Sequence, residues 1–272
     1  MKTNFEAFQV TVEDKIAHIS FNRPDKMNAL NETSWKELRE IFEEVDASPE
    51  VRVAVLSGEG KHFSAGIDLE MLMGMQKQVE DSCQGRMREN MRRFVLDLQE
   101  SINAIERCRK PVIASVHGAC IGGALDIICA CDMRYASTEA HFSLKEIDLG
   151  IVADLGVLQR LPGLIGEGMV REMAFTARKV SAEEAESLKL VNKAFDSSSA
   201  LKAGVTEIAK AIAAKAPLVA RGVKEVLNYS RDRSVEDGLN YVATWNSATI
   251  LSADLEECMT SQMMKKAPEF RD

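Results

Sequence analysis

Two runs, "VRVAVLSG" (51–58) and "KPVIASVHG" (110–118), constrain this chain more than any other feature. Their centres are rich in β-branched residues, show no polar alternation and are too short for interior helices. Strands of that kind bury both faces, the condition of a parallel sheet covered by helices. The intervening segments suit this arrangement. Residues 32–48 set Trp35, Leu38, Ile41, Phe42 and Val45 on one helical face. Residues 86–108 form a long helix, and 122–130 a short one that is almost entirely apolar. Two opening strands lie in "FEAFQVTVEDKIAHISF" around a Glu-Asp turn, and "LVNKAF" suits a late one. From about residue 166 the pattern is otherwise helical, with Ser181 and Glu184 spaced as a capping box. The alternation predicts an α/β core over 1–200 and a helical region over 201–272.

Composition excludes several classes of function. The 272 residues are 46% hydrophobic and 28% charged, as in soluble globular proteins. A net charge of −8 lacks the basic face of a nucleic-acid binder. No window is long and apolar enough to span a membrane. The six cysteines show no paired C-x-x-C spacing and the four histidines no H-x-x-x-H, so no metal site is expected and the thiols read as reduced. The chain opens without an apolar signal core and ends in "APEFRD", which is not a peroxisomal tripeptide. A cytoplasmic location is the expectation from these features.

Glycine-rich turns follow both apolar strands. "SGEGKHFSAG" lacks the spacing of a phosphate-binding loop. "GACIGG" departs from the dinucleotide fingerprint and comes too late in the chain for it. A different use suits both. The backbone N–H groups of Ile67 and Gly123 each come after a strand, near a helix start, where unpaired donors stabilise a developing negative oxygen. Gly66 and Gly122 before them permit close approach. Within the apolar segment "CIGGALDIICACDMRY", Asp126 is out of keeping with a buried helix. Taken alone, it suits a helix-end charge, Glu146 and Asp148 suit surface charges, and Asp154 suits a cap for "LGVLQRL".

"FNRPDKMNAL", "HFSAGIDL", "HGACIGGALDIICACDMRYAS", "FSLKEIDLGIVADLGVLQRLP" and "TARKVSAEEAESLKLVNKAF" occur in that order. Together they resemble the crotonase, or enoyl-CoA hydratase/isomerase, superfamily across roughly residues 5–200. The resemblance implies a crotonase-type α/β fold, with repeated ββα units forming a spiral core and a helical C-terminal trimerisation region. It implies a CoA thioester whose carbonyl oxygen lies between the N–H groups of Ile67 and Gly123. Ala65, Gly66, Ile67, Asp68 and Leu69 would line the thioester and CoA site, while Lys26, Met27, Ala29 and Leu30 flank the adenine and phosphate end. For Lys26 a solvated turn lysine is the plain alternative. Coenzyme A enters only with the substrate, so no separate cofactor is implied. The expected assembly is a homotrimer or a hexamer of two trimers.

The acids select within the superfamily. Hydratases of this kind use two glutamates, whereas this chain has Asp126, then Glu146, then Asp154 where hydratases carry glycine. That set resembles the isomerases converting 3,5-dienoyl-CoA to 2,4-dienoyl-CoA in unsaturated fatty-acid β-oxidation. Moving two conjugated double bonds removes a proton at C2 and adds one at C6. Two carboxyls along an apolar tunnel can do both, one as base and one as acid, with Asp126 orienting a neighbour and shifting its pKa. The rivals are a hydratase or single-bond isomerase using Glu146, and a non-catalytic CoA-binding or RNA-binding relative.

Overall fold

The structure is a computed structural model and describes residues 1–272. Strands β1 (Phe8–Glu13) and β2 (Ile16–Phe21) pair antiparallel across Asp14 and Lys15. The turn thus falls one residue later than the Glu-Asp reading. Both central residues have positive φ, as a two-residue hairpin requires. Helix α1 (Glu32–Ala47) follows, capped by Asn31, whose side chain accepts from the Ser34 N–H. Next come β3 (Val53–Gly58), α2 (Leu69–Gln78), α3 (Gln84–Arg107), β4 (Val112–Val116), β5 (Ala119–Ile121) and α4 (Gly123–Cys129). The strands β6 (Met133–Ser137) and β7 (His141–Ser143) lead to the short helices α5 (Val157–Arg160) and α6 (Pro162–Ile165), then α7 (Glu167–Thr176). The remainder is β8 (Val180–Ser181), α8 (Ala182–Ser187), β9 (Lys193–Phe195), α9 (Ser198–Ala213), α10 (Pro217–Ser230), α11 (Val235–Thr249) and α12 (Ala253–Met264).

The main sheet has the order β1-β2-β3-β4-β6-β9, parallel from β2 onward. A smaller sheet, β5-β7-β8, is fed by the chain as it leaves β4 and β6. A strand of the large sheet followed by a strand of the small one, then helices, is the repeating unit. Both faces of the large sheet are covered. Ala54, Leu56, Val112, Ala114 and Val116 point into the main core with α1, α3 and α4. Their neighbours Val53, Val55 and Ile113 point the other way, onto α9. Period-two strands with two dry faces are why these runs show no alternation in sequence.

The C-terminal helical run opens with α9 at Ser198, and its first helix packs on the sheet. Leu201, Val205, Ala209 and Ala213 of α9 pack on Ile16, Val53, Val55 and Ile113, so α9 is a layer of the core. The helices standing apart begin at Pro217. One buried lysine, Lys224, fastens α10 to the core by donating to Asp132 Oδ2 (2.8 Å) and to the Ile105 and Lys110 carbonyls. The capping box is half formed: Ser181 accepts from the Glu184 N–H (3.2 Å), but the Glu184 carboxylate pairs with Arg178.

Candidate active site

Hydrogen bonds between loops bring the two glycine turns together. The Ala65 N–H donates to the Met27 carbonyl, the Leu30 N–H to Gly66 and the Asp68 N–H to Leu30, so residues 27–30 run beside 65–68. Asn28 knots this pairing: its side-chain amide donates to the Glu59 and His62 carbonyls, and Ser64 Oγ donates to its own carbonyl (2.7 Å). On the other side, Ser64 N–H donates to Ala119 and Ile121 N–H to Ser64, which joins the segment to β5 and thereby to Gly122. Gly66 has φ +85°, and a Cβ there would lie 2.4 Å from the Ile121 carbonyl and 3.3 Å from the Gly123 nitrogen. Only glycine allows that approach.

What remains unpaired is informative. The N–H groups of Ala65, Gly66 and Asp68 all have acceptors, whereas that of Ile67 has none. Gly123 is the first residue of α4, and its N–H likewise meets no acceptor in the chain. Two unpaired donors on adjacent backbone segments, one at a helix start, can receive an oxyanion. Trp35 and Leu30 lie behind Gly123 and hold its backbone from the core side.

These donors open into a cavity of about 380 Å³ lined by Ala29, Ala65, Leu69, Ile121, Ile151 and Leu155 among other side chains, with Asp126, Glu146 and Asp154 in its wall. Asp126 lies in the first turn of α4, is 1% exposed, and accepts a hydrogen bond from the Val157 N–H (2.7 Å). It therefore caps α5, the role the sequence left open for Asp154. Burial, then Glu146 and then Asp154 push its carboxyl well above the ordinary range. Glu146 begins a 3-10 turn, Glu146–Leu149. Its Oε2 is buried with no partner, and its Oε1 would lie 3.2 Å from a Cβ on Gly122, whose φ is +55°. Loss of water, followed by the charge of Asp154, raises its carboxyl too. Asp154 is the most open of the three. Partial loss of water on its cavity side raises its carboxyl, and its backbone carbonyl accepts from Gln99 Nε2 (2.6 Å).

The sequence-predicted residues divide into two groups. Ala29, Ala65, Ile67, Leu69, Gly123, Asp126, Glu146 and Asp154 line the cavity. Lys26, Met27, Leu30, Gly66 and Asp68 do not. Leu30 is fully buried, and Asp68 caps α2 and pairs with Arg23 (3.1 Å). Lys26 and Met27 lie on the exposed turn alongside. Sequence reasoning missed Ile121, Lys145, Asp148, Leu149, Ile151 and Leu155. The apolar alternation in "LGIVADL" was the one available signal.

A family model described as enoyl-CoA hydratase/isomerase matches residues 11–272. This chain belongs to the enoyl-CoA hydratase/isomerase family. Among its relatives, the peroxisomal Delta(3,5)-Delta(2,4)-dienoyl-CoA isomerase of Arabidopsis thaliana is 49% identical over 266 residues, 97% of this chain and 96% of that protein. The mitochondrial Delta(3,5)-Delta(2,4)-dienoyl-CoA isomerase of Homo sapiens is 42% identical over 254 residues, covering 93% of this chain and 77% of that one. Among solved structures, the enoyl-CoA hydratase of Bacillus anthracis superposes with a TM-score of 0.88 at 29% identity, covering 98% and 99% of the two chains. Whole-length agreement with such a structure bears out the crotonase-type fold. The cytoplasmic expectation is overturned, because these family relatives are named for the peroxisome and the mitochondrion. Cellular addresses are read by receptors independently of the fold, so composition and thiol state were no guide to them.

Proposed function

We propose that this family member isomerises 3,5-dienoyl-CoA to 2,4-dienoyl-CoA, with Glu146 and Asp154 moving the protons and Asp126 supporting them. One observation carries the reading: three carboxyls with raised pKa values share one apolar cavity with the two unpaired N–H groups. The thioester oxygen sits between Ile67 and Gly123. One of Glu146 and Asp154, ionised, takes the proton from C2; the C–H pair forms a C1–C2 double bond as the carbonyl pair moves onto that oxygen, giving an enolate conjugated with the diene. The other, protonated, delivers a proton to C6 as the charge returns, leaving double bonds at C2 and C4. Atoms balance, and no redox group enters. Loss of water favours the protonated form of both carboxyls, and the charge of Asp154 acts in the same direction on Glu146. Asp126 fixes the start of α5 by accepting from the Val157 N–H, next to the segment that carries Asp154.

The relatives named as dienoyl-CoA isomerases support this assignment through their high identity to the chain. The test is an ultraviolet assay with 3,5-octadienoyl-CoA, in which the conjugated 2,4-dienoyl product is expected to accumulate. Rapid loss of enoyl absorbance from a 2-enoyl-CoA, without dienoyl isomerisation, would instead establish a hydratase. Turnover of neither would leave a non-catalytic binder. The same reading makes the molecule a homotrimer or a hexamer of two trimers, joined through α10–α12.

A further inference from the structure

Three residues of α3, spaced as Gln99, Asn103 and Glu106, lie on one face of that helix and all reach the segment carrying Asp154. Gln99 holds the Asp154 carbonyl. Asn103 and Glu106 hold Arg160 at the end of α5: Nη2 donates to Asn103 Oδ1 (2.8 Å) and to Glu106 Oε2 (2.7 Å), and Nε to the same oxygen (3.1 Å). The Arg160 side chain folds back over the start of its own helix. A Cβ on Gly156 would lie 1.9 Å from Arg160 Nη1, and Gly156 has φ +120°. The guanidinium thus rests on the backbone two residues after Asp154 and one before Val157, whose N–H binds Asp126. Only 12% of the Arg160 side chain is accessible, and 23% of that of Glu106. A pair this dry gains little net stability, because desolvation offsets much of its attraction. Its planar fork does fix direction.

Resting on the isomerase reading above, we propose that Arg160, locked by Glu106, is a positioning residue that sets Asp154 and Asp126 for proton transfer. Glu106 also pairs with Arg231 just after α10, and Asn228 of α10 donates to the Glu106 carbonyl (3.3 Å). The open helical part is thereby tied to the acid-bearing loop. Other charged groups around the acids are Lys145 and Asp148 at the cavity mouth, paired at 2.6 Å. The thiols of Cys120 and Cys129, raised by burial, stay neutral there.

Arg160→Gln and Glu106→Gln provide the test in the full-length protein. Both are expected to lower kcat by about 10²-fold with KM changed less than about twofold, as displacement of reacting groups does. The acidic limb of the pH profile should move in opposite directions. Losing the cation moves it to higher pH, and losing its counter-charge moves it lower. A merely structural role would lower thermal stability in both without opposed shifts. Should Arg160→Gln fail to fold, Arg160→Lys replaces it, expected to lower kcat with the limb unmoved because the charge remains. Backbone hydrogen exchange across residues 150–157 needs no substrate and should rise in each variant. Folded variants with unchanged exchange overturn the clamp whatever the reaction is. Wild-type protein inactive on dienoyl-CoA but showing the exchange difference overturns only the isomerase reading.

Discussion

Helix α9 and the helices α10–α12 lie next to each other in sequence and carry similar apolar content, yet they end differently. In α9, Leu201 and Val205 are each 2% exposed because the sheet presents a matching apolar face. In α10 and α11, Leu227 is 67% and Leu239 63% exposed, and Leu251, in the turn before α12, is 94% exposed. The α10–α11 contact itself is close: Gly222 lies against the Trp245 indole, and Tyr229 stacks on Tyr241 with centroids 3.8 Å apart. These helices are therefore well packed on one another while their outer faces lack a cover. Apolar periodicity shows that a helix has something to bury; it does not show whether the surface it needs is in the same chain.

The proposed function puts chemistry in the closed part and association in the open part, and the largest expected effects separate the two. Glu146→Gln and Asp154→Asn are each expected to reduce isomerisation by about 10²–10⁴-fold with molecular mass in solution unchanged. If either variant keeps most of its activity in the ultraviolet assay, that acid has no part in proton transfer. Next in size is a matched pair of truncations. Leu201→Ala should cost about 2–5 kcal/mol in urea unfolding, whereas Leu251→Ala should change the chain's own stability by no more than about 0.5 kcal/mol. Equal costs would erase the distinction between the regions.

A third test concerns the cover itself. Light scattering on the wild type should give a trimer or hexamer, and Leu227→Glu with Leu239→Glu should shift mass toward the 30.0 kDa chain. A wild type already at that mass at micromolar concentration would show that the exposed faces do not associate. The smallest effect is expected at Asp126. Its native carboxyl is raised, so the proton it holds stabilises the fold fully below the unfolded pKa of about 3.9. That contribution is lost as pH rises through the native value. Asn cannot ionise and can still accept from Val157, so Asp126→Asn should raise Tm modestly at about pH 8 and show no gain near pH 4. Its turnover should fall less than in the other two acid variants. A constant Tm difference across pH would mean that Asp126 titrates normally.

Much of this was determined by the sequence alone. Val53–Leu56 and Val112–Ala114 could only be strands dry on both faces, and Trp35, Leu38, Ile41, Phe42 and Val45 could only be one face of a helix, because local periodicity reflects how a single element meets a core. The order and spacing of the glycine turns and acids were likewise local, so the family could be read from them. Tertiary structure decided what depends on residues distant in sequence. It gave Asp126 the cap on α5 through Val157, 31 positions away, and left Glu146 Oε2 without a partner. It placed α9 on the sheet and left α10–α12 open. It also removed Leu30 and Asp68 from the cavity their motifs border, since side-chain direction is set by packing across loops. An isolated motif specifies which groups are available; only the folded chain determines which of them lose water and face one another.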